Sequence, residues 1–318
     1  MGPGPTGVQV ASIFNALGAR VTLVEVGPRI LSTEDHDVSE AVRAALEASG
    51  VEVVVDARAV ERFEHSPRGV RMVHGSGKVE AAVVVIAVGW VARTQDMRLD
   101  RAGAELDERG YVRVDDHLRT TAPRIWAAGD VTGRGLIVHE AVRQGVLAAT
   151  NAVLDGSAAL PEQVSPMGSF TDPEYASVGL TEQQARRKHD VLVSRVEFAT
   201  VTRPIIDGRP TGFCKLIADR GRRTILGCHI VGERAVELAQ VAATAMAAGM
   251  TVEQLARVPF SFPTYANALG RAAISAAAEL DASQMWAVDL LHPDQAIVAS
   301  GGHRDHPRHR AGIDPTQT

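Results

Sequence analysis

Apolar and polar residues in the amino-terminal part of the chain recur with the periods of helices and strands in turn. Residues 6–17 have near-helical apolar spacing and predict a helix, which Gly18 ends. The short apolar run 21–24 predicts a buried parallel strand. Residues 35–49 predict a second helix and residues 51–55 another strand. This alternation is typical of an α/β unit with a parallel sheet.

The pattern changes after this unit. Residues 60–73 and the short piece around Val79 alternate apolar and polar positions, which predicts a small antiparallel insertion. The apolar run 83–88 predicts a return to the buried sheet. Further strands are expected at 111–114 and 125–128, followed by a helix over about 138–154.

A second change in pattern follows Pro161 and predicts an α+β unit, so we place a domain boundary near Gln163. The expected strands of this unit are 191–198, 213–218 and 225–231, and the expected helices are 182–188, 233–248 and 266–280. Residues from about 300 onward are rich in Gly, Pro, His and Arg without apolar periodicity, which predicts a disordered tail.

Composition narrows the class of protein. The chain has 318 residues, 45% hydrophobic and 22% charged, which suits about two globular domains. A formal net charge of −5 provides no basic surface for nucleic acid. The start resembles no leader peptide and no apolar run of about 18 residues occurs, so we expect no membrane partner. Because there are only two cysteines and no leader peptide is expected, the sequence predicts a cytoplasmic protein. Because the charge does not favour nucleic acid, we expect small molecules as ligands.

A glycine motif lies at the amino terminus. Gly2, Gly4 and Gly7 satisfy G-x-G-x-x-G and lead directly into a predicted helix, where backbone amides and the helix dipole favour a pyrophosphate. Glu25 ends the next predicted strand, where a carboxylate would accept hydrogen bonds from a ribose 2′-hydroxyl. This favours NAD(H) over NADP(H). The plainer alternative is a glycine-rich terminus with Glu25 as a solvated charge.

The motif lacks one part of its usual context. A dinucleotide fingerprint follows a strand, but only Met1 precedes Gly2. We therefore expect the central strand of the dinucleotide fold to be absent from this chain, which also bears on its independent stability.

A second motif identifies a family resemblance. The predicted strand 125–128 ends in Gly129 and Asp130 before a helix, and residues 170–181 read Phe-Thr-Asp-Pro-Glu-Tyr-Ala-Ser-Val-Gly-Leu-Thr. With the amino-terminal glycines and Ala87-Val88-Gly89, these motifs resemble, in order, those of the FAD-dependent pyridine nucleotide-disulfide oxidoreductases, which include dihydrolipoamide dehydrogenase and mercuric reductase. The resemblance covers about residues 1–280.

The resemblance implies a role for several residues. Asp130 would hydrogen-bond the flavin ribityl chain, and Gly89 would contact flavin or nucleotide through its backbone. The helix near His139 would point its amino terminus at the flavin, with His139, Glu140 and Ala141 as backbone donors. For the His139 ring, a helix-start residue without a catalytic role is the favoured interpretation.

The resemblance also implies a domain plan and a homodimer. Expected are an NAD(H)-binding domain missing its first strand (1–92), the carboxyl part of a FAD-binding domain (93–163), an α+β dimerisation domain (164–285) and an extension (286–318). We expect the amino-terminal flavin domain of the family to be absent from this chain. Alanine-rich helices at 239–248 and 266–278 fit either a dimer contact or ordinary core.

Departures from the family pattern limit the chemistry. Phe262 and Asn267 stand where disulfide-reducing members carry a His-Glu acid-base pair, so neither can move a proton at neutral pH. Cys214 and Cys228 lie in apolar strands and are interpreted as core residues rather than a redox pair. Trp90-Val91-Ala92-Arg93 replaces the usual linker that follows the glycine. In the tail, His303, His306 and His309 could bind a metal, but Pro307 argues against a helix that aligns them.

These observations lead to one hypothesis and two alternatives. The hypothesis is a flavoprotein that passes hydride from NADH to FAD and on to an acceptor needing no His-Glu dyad, such as a quinone, a metal ion or a second nucleotide. The first alternative is a truncated or split chain that dimerises and at most binds nucleotide. The second is an NAD-dependent dehydrogenase without flavin, for which Asp130 and the segment 170–181 would be coincidences.

Overall fold

The structure, a computed structural model, describes residues 1–154, 156, 158–160 and 164–281. It begins with α1 (Pro5–Ala16), β1 (Thr22–Val24), α2 (His36–Ala48) and β2 (Glu52–Val54). β1 and β2 pair in parallel, with Thr22 opposite Glu52. Each element lies within one residue of its predicted bounds, which confirms the α/β pattern of this part of the chain.

The position and burial of α2 follow from its sequence. The Asp35 carboxylate precedes the helix and accepts a hydrogen bond from the His36 amide at 3.1 Å. Val38, Val42 and Leu46 recur every four residues and are buried, as expected for one helix face. The hydrophobic cluster that they join also contains residues of the carboxyl-terminal sheet: Tyr175, Phe213 and Val231. One hydrophobic cluster therefore joins the two halves of the chain.

The predicted antiparallel insertion is present. It consists of β3 (Val60–Ser66), β4 (Gly69–His74) and β5 (Gly77–Ala81), in the order β3-β4-β5. The turn into β4 requires glycine at Gly69, because its φ is +120° and an added Cβ would lie 2.7 Å from the Ala81 carbonyl oxygen.

The prediction of a buried strand at residues 83–88 is wrong. The segment belongs to no described strand, and Val83 is 70% exposed. Its backbone pairs with Met1: the Met1 nitrogen donates to the Val85 carbonyl at 3.0 Å, and the Ala87 amide donates to the Met1 carbonyl at 2.9 Å. A cleft of about 460 Å³ separates the rest of the segment from β1. An apolar run is buried only where a neighbouring strand covers it, and among the described residues Met1 alone pairs here.

The expected strands at 111–114 and 125–128 are also wrong. They are replaced by two isolated bridges, Leu106 with Val112 and Arg119 with Trp126. The Val112 amide instead donates to the Val131 carbonyl at 2.9 Å, so the backbone groups are satisfied by loops and no ladder forms. The helices of this region are α3 (Leu99–Ala102) and α4 (Val138–Leu154), the second matching its prediction.

The carboxyl-terminal part is an antiparallel sheet covered by helices, as the α+β prediction requires. Its elements are β6 (Met167–Ser169), β7 (Tyr175–Gly179), α5 (Glu182–Arg186), β8 (Val191–Glu197), α6 (Thr202–Ile206), β9 (Phe213–Asp219), β10 (Ile225–Val231), α7 (Ala235–Ala247), α8 (Val252–Ala256) and α9 (Asn267–Leu280). The sheet order is β6-β7-β10-β9-β8. The sequence patterns did not predict four of these elements: β6, β7, α6 and α8.

The alanines of α7 and α9 lie in the core of this domain. Those buried in its main cluster are Ala235, Ala239, Ala242, Ala243, Ala245, Ala268, Ala272, Ala273, Ala276 and Ala277. Small side chains let both helices approach the sheet closely. Because they are used within one chain, these alanines give no support for a dimer contact.

Two sequence predictions fall on residues that the structure does not describe. These are the boundary near Gln163 and the tail that contains His303, His306 and His309. Within the part of the chain that the structure does cover, no helix combines the length and apolarity needed to cross a membrane.

Candidate functional site

The predicted nucleotide residues converge on one cleft of about 410 Å³. Gly2 and Gly4 lie at the turn into α1, Glu25 follows β1, and Gly89 follows the segment 83–88; all four line the cleft. The glycine turn lies between the end of β1 and the segment 83–88. The Gly2 amide donates to the Val24 carbonyl at 3.1 Å, and the neighbouring Met1 bonds to Ala87.

Two of the motif glycines are required by close packing. An added Cβ on Gly2 would lie 2.4 Å from the Ala87 carbonyl oxygen, at a φ of +80°. An added Cβ on Gly7 would lie 2.1 Å from the Gly2 carbonyl oxygen, so α1 can approach the turn only without a side chain. Gly7 supports the turn from behind and is not among the residues lining the 410 Å³ cleft.

Gly4 differs from the other two because its side-chain position is open. An added Cβ would meet nothing within 4 Å, and the backbone is extended, with φ −74° and ψ −174°. Gly4 is the N-cap of α1 and no side chain caps the helix, which leaves the first-turn amides available to an anion. The open position and the uncapped helix start fit the pyrophosphate of a dinucleotide.

Glu25, next to the residue that bonds to the glycine turn, is held in a fixed orientation. Its Oε1 accepts a hydrogen bond from the Gly27 amide at 2.6 Å, which leaves Oε2 for a further donor. Burial lowers the pKa of the nearby Met1 ammonium, and the Glu25 carboxylate partly offsets that shift.

Asp130 lies in a separate, well-braced turn. Gly129 has φ +75°, and its amide donates to Gln144 Oε1 at 2.8 Å. The buried Gln144 side chain also donates to the Arg134 carbonyl at 2.7 Å. Ala141 packs against this turn, with its Cβ 3.2 Å from where a Cβ on Gly129 would lie. Asp130 itself is exposed, so its carboxylate fits a role as acceptor for a polyol hydroxyl.

His139 lies in the first turn of α4 and its side chain is engaged elsewhere. Its Nε2 lies 2.9 Å from the Ser165 hydroxyl. Glu140 is buried, and one of its carboxylate oxygens has no hydrogen-bond partner among the described atoms. Together with Asp130 and Ala141, these residues form a second cluster apart from the glycine turn.

The segment that replaces the family's acid-base pair holds no acid-base group on its surface. Phe262 is 70% exposed, and Asn267 begins α9. The Tyr265 hydroxyl between them donates to Asp207 Oδ2 at 3.1 Å. Burial and the Asp207 carboxylate raise the pKa of Tyr265 to about 12, so the phenol stays neutral at physiological pH.

Cys214 and Cys228 are core residues, as predicted. Both are fully buried, and their sulfur atoms lie 4.0 Å apart between β9 and β10. Hydrogen bonding with Cys228 and burial raise the pKa of the Cys214 thiol well above its ordinary value, which disfavours the reactive thiolate.

Sequence reasoning missed two residues. Trp90 lines the same cleft as Gly2 and Glu25, although the sequence marked it only as a departure in the linker. Gln144 braces the turn at Gly129. The sequence signal for it was the i, i+4 spacing of two polar residues, Glu140 and Gln144, which places both on one helix face; the structure shows that this face is buried.

Two family models match this chain. Residues 1–145 match the model of the family described as pyridine nucleotide-disulphide oxidoreductase, and residues 165–273 match that family's dimerisation domain. The chain belongs to the pyridine nucleotide-disulphide oxidoreductase family.

Curated relatives include two kinds of enzyme. A dihydrolipoyl dehydrogenase of Thermus scotoductus is 34% identical over 86% of this chain and 60% of its own length. A mercuric reductase of Streptomyces lividans is 37% identical over 86% of this chain and 58% of its own length. The chain thus spans about 60% of these relatives.

A solved structure shares the fold. The Cu(II) complex of the HOCl-induced flavoprotein disulfide reductase RclA from Escherichia coli superposes with a TM-score of 0.82 and 28% identity, over 86% of this chain and 62% of that chain. The Rossmann-like and dimerisation domains expected from sequence are therefore confirmed as the fold class.

Proposed function

We propose that this chain supplies the NADH-binding and part of the FAD-binding machinery of a flavoprotein oxidoreductase that passes hydride from NADH through FAD to an acceptor. The observation that carries the proposal is the cleft in which an open glycine turn and a fixed carboxylate lie side by side. The helix start would hold the pyrophosphate, and Glu25 would accept from the adenosine ribose. Because a carboxylate repels a 2′-phosphate, NADH is preferred over NADPH.

The proposed flavin contacts come from the second cluster. Asp130 would bind the ribityl chain, and the α4 start at His139 and Ala141 would offer backbone donors. Gly89 lies between the two clusters in sequence and would contribute a backbone contact. Bound FAD would supply the step between a two-electron donor and the acceptor.

The acceptor in this proposal needs no acid-base dyad. Phe262 and Asn267 cannot exchange protons, and Tyr265 is neutral at physiological pH. A quinone, a metal ion or a second nucleotide meets this requirement better than a dithiol. Steady-state NADH oxidation with each acceptor class, using the FAD-loaded protein, tests this choice.

A homodimer is part of the proposal. The dimerisation domain exposes large apolar side chains: Phe170, Ile205, Ile206 and Phe262. Sedimentation equilibrium should give twice the 33.8 kDa chain mass. A monomer at micromolar concentration would contradict this part.

One alternative is favoured by a specific observation. The 460 Å³ cleft beside residues 83–87 and the exposed valines of α4, Val138, Val142 and Val146, leave apolar surface open. A chain that dimerises and binds nucleotide without turnover would have these features. Retention of FAD by the purified chain and its bleaching by NADH separate the two functions.

A further inference from the structure

We propose that Trp90 is a specificity residue that packs against the nicotinamide half of the bound dinucleotide. The inference rests on the proposed nucleotide site and adds to it which end of the ligand the indole contacts. It concerns a residue of this chain that replaces the family's linker sequence, so the resemblance gives it no role.

The backbone pairing fixes which side of the site Trp90 occupies. Gly2 bonds to Val24 on one side, which carries Glu25, and Met1 bonds to Ala87 on the other side, which carries Trp90. A dinucleotide crosses the glycine turn with its pyrophosphate at the helix start and its adenosine ribose at the acidic strand end. The remaining half, the nicotinamide riboside, must then extend toward residues 87–90.

The indole is available to a ligand. Trp90 lines the 410 Å³ cleft and is 63% exposed, an unusual state for so large an apolar side chain. Gly89 beside it has φ +124°, and an added Cβ there would meet nothing within 4 Å, so the space next to this part of the backbone is also open. A flat aromatic ring at this place can stack on the planar nicotinamide ring.

The backbone that carries the indole is held from below. The Tyr111 hydroxyl donates to the Trp90 carbonyl at 3.0 Å. Further along, Ala92 is buried and the Thr94 hydroxyl donates to the Gly110 carbonyl at 3.0 Å. Because the backbone at Trp90 is already anchored, little conformational entropy is lost when a ligand contacts the indole.

Calorimetric affinities for NADH and ADP-ribose test the assignment. ADP-ribose contains the adenosine, pyrophosphate and second ribose but lacks the nicotinamide ring. Trp90→Leu should weaken NADH binding about three- to tenfold, the size of one lost aromatic contact, and leave ADP-ribose within twofold. Trp90→Phe, which keeps a ring, should restore most of the loss. Val91→Ala, an exposed apolar neighbour that is absent from the cleft lining, is the matched control.

A spectroscopic readout adds a test that a structural role would not meet. The sequence contains three tryptophans. In a Trp126→Phe, Trp286→Phe variant, Trp90 is the only indole, and NADH should quench its emission much more strongly than ADP-ribose does.

The outcomes separate this inference from the proposed function. If the wild-type chain binds both ligands and Trp90→Leu weakens neither, or weakens both equally, the placement of Trp90 is overturned and the nucleotide site stands. If the wild-type chain binds neither ligand, both are overturned. Loss confined to NADH supports both.

Discussion

The glycines of the amino-terminal turn differ in what a side chain would meet. At Gly7 an added Cβ collides with backbone, whereas at Gly4 it enters open space. A substitution at Gly4 can therefore block a ligand without disturbing the folded chain.

We predict that Gly4→Val weakens NADH binding at least about tenfold and shifts the melting temperature by no more than about 2 °C, because the backbone there is already extended. Gly7→Ala should instead lower the melting temperature, since helix and turn must separate. Calorimetric titration and thermal unfolding of both variants check this. An unchanged NADH affinity in Gly4→Val would show that the pyrophosphate does not bind at this turn.

Glu25 carries a second prediction at this scale, the choice of nucleotide. Glu25→Ala should reduce NADH affinity about threefold to tenfold and leave NADPH affinity unchanged or higher, because a hydrogen bond is lost and a repulsion removed. The ratio of the two dissociation constants is the measurement. If the ratio of the NADH and NADPH dissociation constants is the same in Glu25→Ala as in the wild-type chain, Glu25 is only a solvated charge at the end of β1.

The sequence could predict that Gly2, Gly4 and Glu25 lie together, because a phosphate-binding turn needs glycine at fixed spacing. It could not identify Trp90, because its place in the cleft depends on the pairing of Met1 with Ala87. It also could not separate Gly4 from Gly7, since only the packing of α1 distinguishes an open position from a closed one.

At the scale of elements, the start of α2 is joined to the carboxyl-terminal sheet by a buried ion cluster. Lys215 on β9 is only 3% exposed, and its Nζ lies 2.7 Å from Asp37 Oδ1 and 3.0 Å from Asp35 Oδ2. Glu182 of α5 lies 3.5 Å away through Oε2. The cluster joins the start of α2 in the amino-terminal part of the chain to β9 and α5 of the dimerisation domain.

Lys215→Met should destabilise the chain by about 3 kcal/mol, because Asp35 then remains buried without its cation. The control is Arg43→Met on α2, whose exposed pair with Glu47 should be worth less than about 1 kcal/mol. Urea unfolding of both variants measures the difference. Equal small losses would show that the cluster does not join the two units.

The same cluster predicts a pH dependence. Burial alone would raise the pKa of Asp35, but the hydrogen bonds from the Glu182 amide and Lys215 outweigh it and hold the pKa below its ordinary value. A lowered folded-state pKa stabilises the fold above the unfolded value, and this is lost as pH falls through the folded value. Unfolding free energy should thus decline below about pH 4, less steeply in Asp35→Asn. Identical slopes would contradict this.

Elements were predictable where local periodicity and tertiary environment agree. α2 met its pattern because it buries the apolar face that its sequence predicts and Asp35 caps its start. α4 has its predicted bounds although its apolar face is exposed and its buried residues are mostly polar. Residues 83–88 did not form the predicted strand, because a continuous apolar run specifies a sheet position only if neighbours are present on both sides. Residues 111–128 failed for a different reason, since short apolar stretches there are paired with loops.

Among the described residues of the whole molecule, the carboxyl-terminal part has a closed core, whereas the amino-terminal part leaves apolar surface open. The carboxyl-terminal sheet with α7, α8 and α9 has its own core of buried residues. The 460 Å³ cleft and the α4 valines remain uncovered among the described residues. The family, the fold class and the order of motifs were accessible from sequence, whereas this distribution of closed and open surface was not.

The central claim is that this chain places NADH and FAD so that hydride can pass between them. The most direct measurement is the visible spectrum of the purified chain after incubation with FAD and desalting, followed by anaerobic addition of NADH. We expect the wild-type chain to retain a flavin absorbance band that bleaches on addition of NADH. In the Gly4→Val variant, the retained flavin should stay oxidised after the same addition. A wild-type chain that retains no flavin, or whose flavin is not reduced by NADH, would contradict the central claim.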